Sequence, residues 1–125
     1  MLRLGLVLAA IVLVSGCGGS KASHDDAPKA TCEKANKIQQ MASSNEAAMI
    51  NGDLEAIAKV GGAVTGALNG AKQGTPVATD LTVVENDMQR IHHDALNDKR
   101  NLAGDVATLK STLIRLGMDC SKYLG

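Results

Sequence analysis

Apolar positions fall into two regimes along the chain. Residues 4–14 form one unbroken apolar run, whereas from about residue 29 onward the apolar positions recur at steps of three and four. That second spacing is the signature of one face of an α-helix. Between the regimes lies GGSKASHDDAP, a polar stretch bearing glycine and serine, which reads as a flexible tether. The organisation expected is a leader over residues 1–16, a tether over 17–28 and one helical domain over 29–125.

Four helices are expected within the domain. The first, over 29–50, places Cys32, Ala35, Ile38, Ala42 and Met49 on one side. Asn51-Gly52 supplies a left-handed stop, and Asp53 is a suitable cap for the second helix. That helix, over 53–73, carries the stripe Leu54, Ile57, Gly61, Val64, Leu68 and Ala71, and Gly74-Thr75-Pro76 ends it. Thr79 or Asp80 is expected to open a third helix bearing Leu81, Val84, Met88, Ile91 and Ala95. The last holds Leu102, Val106, Leu109, Leu113, Leu116 and Cys120, the cleanest periodic signal in the chain. No Gly or Pro separates these two, so one continuous helix competes with a turn near 97–101. In the turn, Lys99 and Arg100 would complement the dipole of helix three and Asn101 would cap helix four.

Composition narrows the core. Tyr123 is the only aromatic residue, so the core must be built from Leu, Ile, Val, Met and Ala, which bury less area per residue than rings. A thin core of this kind in 125 residues is marginal without a staple. Charge is balanced, at 13 basic and 13 acidic residues, so no basic field points to nucleic acid. No repeat of 20–50 residues is evident.

The apolar run of 11 residues follows Arg3 and is too short to span a bilayer, which takes about 20. It leads directly into Val14-Ser15-Gly16-Cys17, which resembles the lipobox of bacterial lipoproteins. The resemblance implies cleavage before Cys17, diacylglycerol on its thiol and acylation of its freed amine, with residence at the extracytoplasmic face of a membrane. It covers those residues alone. Gly18 and Gly19 come next, so the Asp that retains some lipoproteins in an inner membrane is absent.

If Cys17 carries lipid, two of the three cysteines remain, Cys32 and Cys120, near the ends of the domain. Outside the cytoplasm such a pair is expected to be oxidised. An up-down bundle brings the start of its first helix and the end of its last to one pole only when the number of helices is even. A disulfide needs α-carbons within about 7 Å. The fold expected is therefore all-α, a small up-down helical bundle of four helices closed by one disulfide.

Two constellations are candidates for chemistry. Gly62, Gly66, Gly70 and Gly74 recur every fourth residue, nearly opposite the apolar stripe of helix two. Each interior glycine costs roughly 0.8–1 kcal/mol of helix propensity, so the row is a docking groove, a weakly stable surface, or a face that meets a neighbouring helix of the same bundle. His92 and His93 are weak metal candidates, because adjacent histidines on a helix diverge by about 100°. Arg90, Asp94 and Asp98 read as a solvated charge ladder. Elbow, P-loop and dinucleotide patterns are missing, so no enzyme and no cofactor are expected.

These features together suggest a non-catalytic helical module that binds an envelope or membrane protein. A carrier of haem, metal or lipid is the alternative from another class. By analogy of type and size alone, small prophage lipoproteins that exclude superinfecting phage are a third.

Overall fold

The computed structural model describes residues 27–124, so the leader, Cys17 and most of the tether, including His24, lie outside the described residues. The described chain is all-helical. Its order is α1 (Pro28–Ser44), α2 (Glu46–Ile50), α3 (Leu54–Gly70), α4 (Pro76–Asn97), a 3-10 turn (Lys99–Asn101) and α5 (Leu102–Leu124). Five helices thus stand where four were expected, because the first is divided at Asn45. There the side-chain Nδ2 donates to the Met41 carbonyl at 2.7 Å, and the backbone leaves helical geometry at φ −109° and ψ 11°. Short polar side chains compete with the helix for its own carbonyls in this way. The preceding Ser43 and Ser44 offer little resistance.

The turns obey local chemistry. Gly52 takes a φ of 82°, closing α2, and a side chain there would meet the stem of Lys99 at 3.0 Å. Lys99 therefore lies over the end of α2, where a cation suits the helix dipole. Asp53 caps α3, its Oδ1 accepting from the amides of Glu55 and Ala56 at 3.0 and 3.3 Å. α3 stops at Gly70, three residues short of expectation.

Thr75, not Thr79 or Asp80, opens α4. Its hydroxyl accepts from the Ala78 amide at 3.2 Å, and Pro76 occupies the first turn, where its missing N–H costs nothing. Between α4 and α5 the chain does turn. Asp98, rather than Asn101, is the organising residue: its carboxylate accepts from the amide and guanidinium of Arg100 and from Asn101 Nδ2.

α1 packs against α3 and α5, α3 against α4, and α4 against α5, while α2 lies on α3 and α5. The expected apolar faces of the first, third and last helices are all buried. α3 is rotated from expectation. Leu54 is exposed and Leu68 only half-buried, while Ala56, Ile57, Val60, Val64, Ala67 and Ala71 face the core. With so much alanine and glycine in α3, total apolarity did not mark which side neighbouring helices would approach.

Cys32 and Cys120 form the expected disulfide, with α-carbons 5.5 Å apart. A few residues away, Gln39 Nε2 donates to the Leu113 carbonyl of α5 at 2.7 Å. Gly117 permits that approach, since a β-carbon there would sit 2.9 Å from the same nitrogen. All the buried apolar residues of 27–124 join one core. Among the described residues no helix is long and apolar enough to cross a membrane.

Candidate functional site

The structure separates the two constellations singled out in the sequence and brings part of each together. Gly62 and Gly66 are exposed, and a β-carbon on either would meet no atom of the described residues within 4 Å. They do not serve close packing among the described helices. Gly70 is half-buried at the last position of α3, and Gly74 lies beyond the helix in a turn with φ 85°. Of the four glycines only Gly62 and Gly66 thus share an exposed surface within the helix.

Gly61 and Gly62 form one wall of a surface groove of about 320 Å³ between α3 and α4, and His92 with Glu85 and Gln89 lines it opposite. Thr65 Oγ1 donates to Glu85 Oε2 at 3.0 Å across its end. His93 is exposed and points elsewhere, its Nδ1 lying 3.4 Å from Asp94 Oδ1. The two histidines do not converge, and among the described residues no three His, Cys, Asp or Glu side chains gather as metal ligands.

Because Gly62 and Gly66 face open space, replacing both with Ala should stabilise the isolated domain by roughly 0.4–1 kcal/mol per site. Thermal melting of the double variant checks this. A loss of stability would mean that these glycines pack against something after all.

The most ordered polar feature is one the charge ladder concealed. Along the antiparallel contact of α4 and α5, three polar pairs stack at seven-residue steps: Asp80 with Asp119, Asp87 with Thr112, and Asp94 with Asp105. On each helix these residues directly precede core positions, namely Leu81, Met88 and Ala95 on α4 and Val106, Leu113 and Cys120 on α5. They therefore flank the apolar seam rather than face open water, as heptad positions beside a core do. Arg90 on α4 and Arg115 on α5 stand four residues before Asp94 and Asp119, so the two helices carry matching acid and base positions. That correspondence, at the 25-residue offset separating Asp87 from Thr112, is too sparse to register as a sequence repeat.

Each layer satisfies its carboxyls differently. Asp87 is 3% exposed; its carboxylate accepts from the Thr112 hydroxyl at 2.8 Å and from Arg90 Nη1 at 3.3 Å. The outer layers are carboxyl-on-carboxyl. Asp80, 5% exposed, is pushed up to about 6 by burial, then by its hydrogen bond and charge contact with Asp119, with Arg115 opposing. Asp105 is likewise pushed up to about 6 by burial, by its hydrogen bond to Asp94 and by the Asp94 charge. Asp94 moves below its ordinary value, chiefly because Asp105 donates to it and also through His93 and Arg90.

One oxygen in each raised group, Oδ2 of Asp80 and of Asp105, is buried without an N–H or O–H donor among the described residues. A proton held there removes the conflict by turning an unsatisfied acceptor into a donor. Such shared-proton carboxyls recur in acid–base catalysis. Here they sit between packed helices, and the grooves on α3–α4 and α1–α5 are lined by other residues. Their arrangement supports a structural, proton-sensitive role.

No protein-family model matches the chain, and no curated protein or solved structure matches it significantly.

Proposed function

We propose that the chain is the precursor of a bacterial lipoprotein, cut before Cys17 and anchored by lipid on that cysteine to the extracytoplasmic face of a membrane. Its helical domain then acts as a non-catalytic interaction module for an envelope or membrane protein. The observation that carries the reading is how the three cysteines are used. Cys32 and Cys120 are joined, which leaves Cys17, the cysteine of the VSGC motif, outside the bridge. A structural disulfide also favours an oxidising compartment over the cytoplasm. We further take α1 and α2 as one bent rod, which makes the domain an up-down bundle of four rods.

A carrier role finds a foothold in the α3–α4 groove, where His92, Glu85 and Met88 are the metal-binding side chains among the described lining residues. An open groove of that kind suits a contact surface better than an enclosed ligand site.

Cys17→Ser should accumulate as uncut precursor without lipid label, while the wild type is processed and labelled by radioactive palmitate. A mutant that is still cut and labelled normally would remove the proposal. Absorption spectra of the purified domain test the carrier alternative, since a Soret band or a stoichiometric metal would favour it.

A further inference from the structure

The outer face of α5 combines two properties. Its exposed charged side chains, Lys110, Arg115 and Lys122, are all basic, while its two acids, Asp105 and Asp119, are drawn into the seam with Asp94 and Asp80. Among them stand Ile114 and Met118, one turn apart and 64% and 69% exposed, the most exposed large apolar side chains described. Ala107 and Ser111 continue the strip without charge. Lys110 remains 56% exposed although it pairs with Glu46 at 3.1 Å. An apolar strip edged by cations is the pattern of a helix that lies in the interface of an anionic bilayer.

We propose that α5 rests with this face on an anionic lipid surface, the same membrane to which the chain is tethered; this builds on the reading of Cys17 as the lipidated residue. The connection makes the geometry feasible. Ten residues, 18–27, separate Cys17 from α1, and fully extended they span about 33–36 Å. The 23 residues of α5 run about 35 Å. The Cys32–Cys120 bridge sets the beginning of α1 beside the end of α5, the end that carries Met118 and Lys122. The tether therefore enters the domain at the pole where the strip begins, and its reach covers the length of the helix. A second copy fits this face less well, because a two-fold contact would bring Lys110, Arg115 and Lys122 against their own equivalents or near neighbours.

The test uses the mature lipidated protein in phosphatidylethanolamine vesicles containing phosphatidylglycerol, with a carbene-generating probe dissolved in the bilayer. After photolysis, reduction and trypsin digestion, peptides 111–115 (STLIR) and 116–122 (LGMDCSK) should carry several-fold more label than peptide 60–72 of α3. The excess should fall in phosphatidylcholine vesicles and vanish in Ile114→Glu/Met118→Glu. That variant should still float with the vesicles through its lipid, and its melting should be unchanged because both sites are exposed. Retention on vesicles with no excess label on 111–122 overturns the α5 proposal alone. Loss of every form from the vesicles marks failure of the lipidation reading and overturns this one with it. Crosslinked dimers through 111–122 that the Glu variant abolishes would assign the face to a second copy instead.

Discussion

Reducing the Cys32–Cys120 bridge is expected to lower the melting temperature by well over ten degrees while leaving the helical content of the cold protein nearly intact. The bridge closes a loop with a sequence separation of 88, and loss of that constraint on the unfolded chain is worth about 4–5 kcal/mol in the chain-entropy view. For a domain of about 100 residues each kcal/mol moves the midpoint by roughly 4–8 °C. The effect weighs more here than in most domains, because the core lacks any Phe or Trp and leans on alanine at seven positions, from Ala35 and Ala42 through Ala56, Ala67, Ala71 and Ala78 to Ala95. Total stabilities of single domains run only to about 5–15 kcal/mol.

Reduction is the cleaner perturbation, since both sulfurs are buried and Cys→Ala would add a packing loss to the lost crosslink. A denaturant series gives a second readout: the m-value should rise on reduction as the unfolded state expands. A shift of only a few degrees with an unchanged m-value would show that helix packing, not the crosslink, carries the fold.

What was legible in the sequence was whatever one strong local signal decided. The Leu-rich steps of α5, the Asn51-Gly52 stop and the Asp53 cap all correspond to the structure, since each depends on nearest neighbours along the chain. The Cys32–Cys120 pairing was legible for another reason, because the lipidation proposed for Cys17 leaves only two candidates. Failures came where several weak preferences competed. Thr75, Thr79 and Asp80 are all acceptable caps, and the proline after Thr75 decided among them. The face of α3 was ambiguous because Ala and Gly contribute too little area to orient a helix by themselves.

The acidic seam was missed for a specific reason. Steps of four join Arg90, Asp94 and Asp98 along one helix, but the informative step is seven. At that step Asp80, Asp87 and Asp94 keep one side of α4, and Asp105, Thr112 and Asp119 keep one side of α5. The signal was present, but only the antiparallel register of two helices gives it meaning.

That seam should make the protein more stable as the solution is acidified from neutrality, opposite to the usual behaviour of a protein with paired carboxylates. Asp80 and Asp105 titrate near 6 when folded, against an ordinary value of 3.8. Between those limits the folded state binds more protons than the unfolded chain, so stability falls as pH rises through that range and is greatest toward its lower end. At 1.36 kcal/mol per unit, about 3 kcal/mol is an upper bound for Asp80, and the partly exposed Asp105 contributes less. Asp94 acts in the other direction: its value is lowered, so its contribution is present above 3.8 and disappears in stronger acid. The groups facing these carboxyls are Arg115 and Asp119 around Asp80, and Arg90, Asp87 and His93 around the Asp94–Asp105 pair. A stability maximum is therefore expected near pH 4–5. Denaturant melts at pH 4.5 and 7.5 measure it directly. Asp80→Asn and Asp105→Asn isolate the cause, because an amide supplies the missing donor at every pH and carries no charge. Each should raise stability at pH 7.5 by about 1–3 kcal/mol and flatten the dependence below it. The opposite result, Asn variants weaker at pH 7.5 and a wild type that loses stability from 7.5 to 4.5, would show both carboxyls ionised and solvated in the fold, and would dissolve the seam as a proton-holding element.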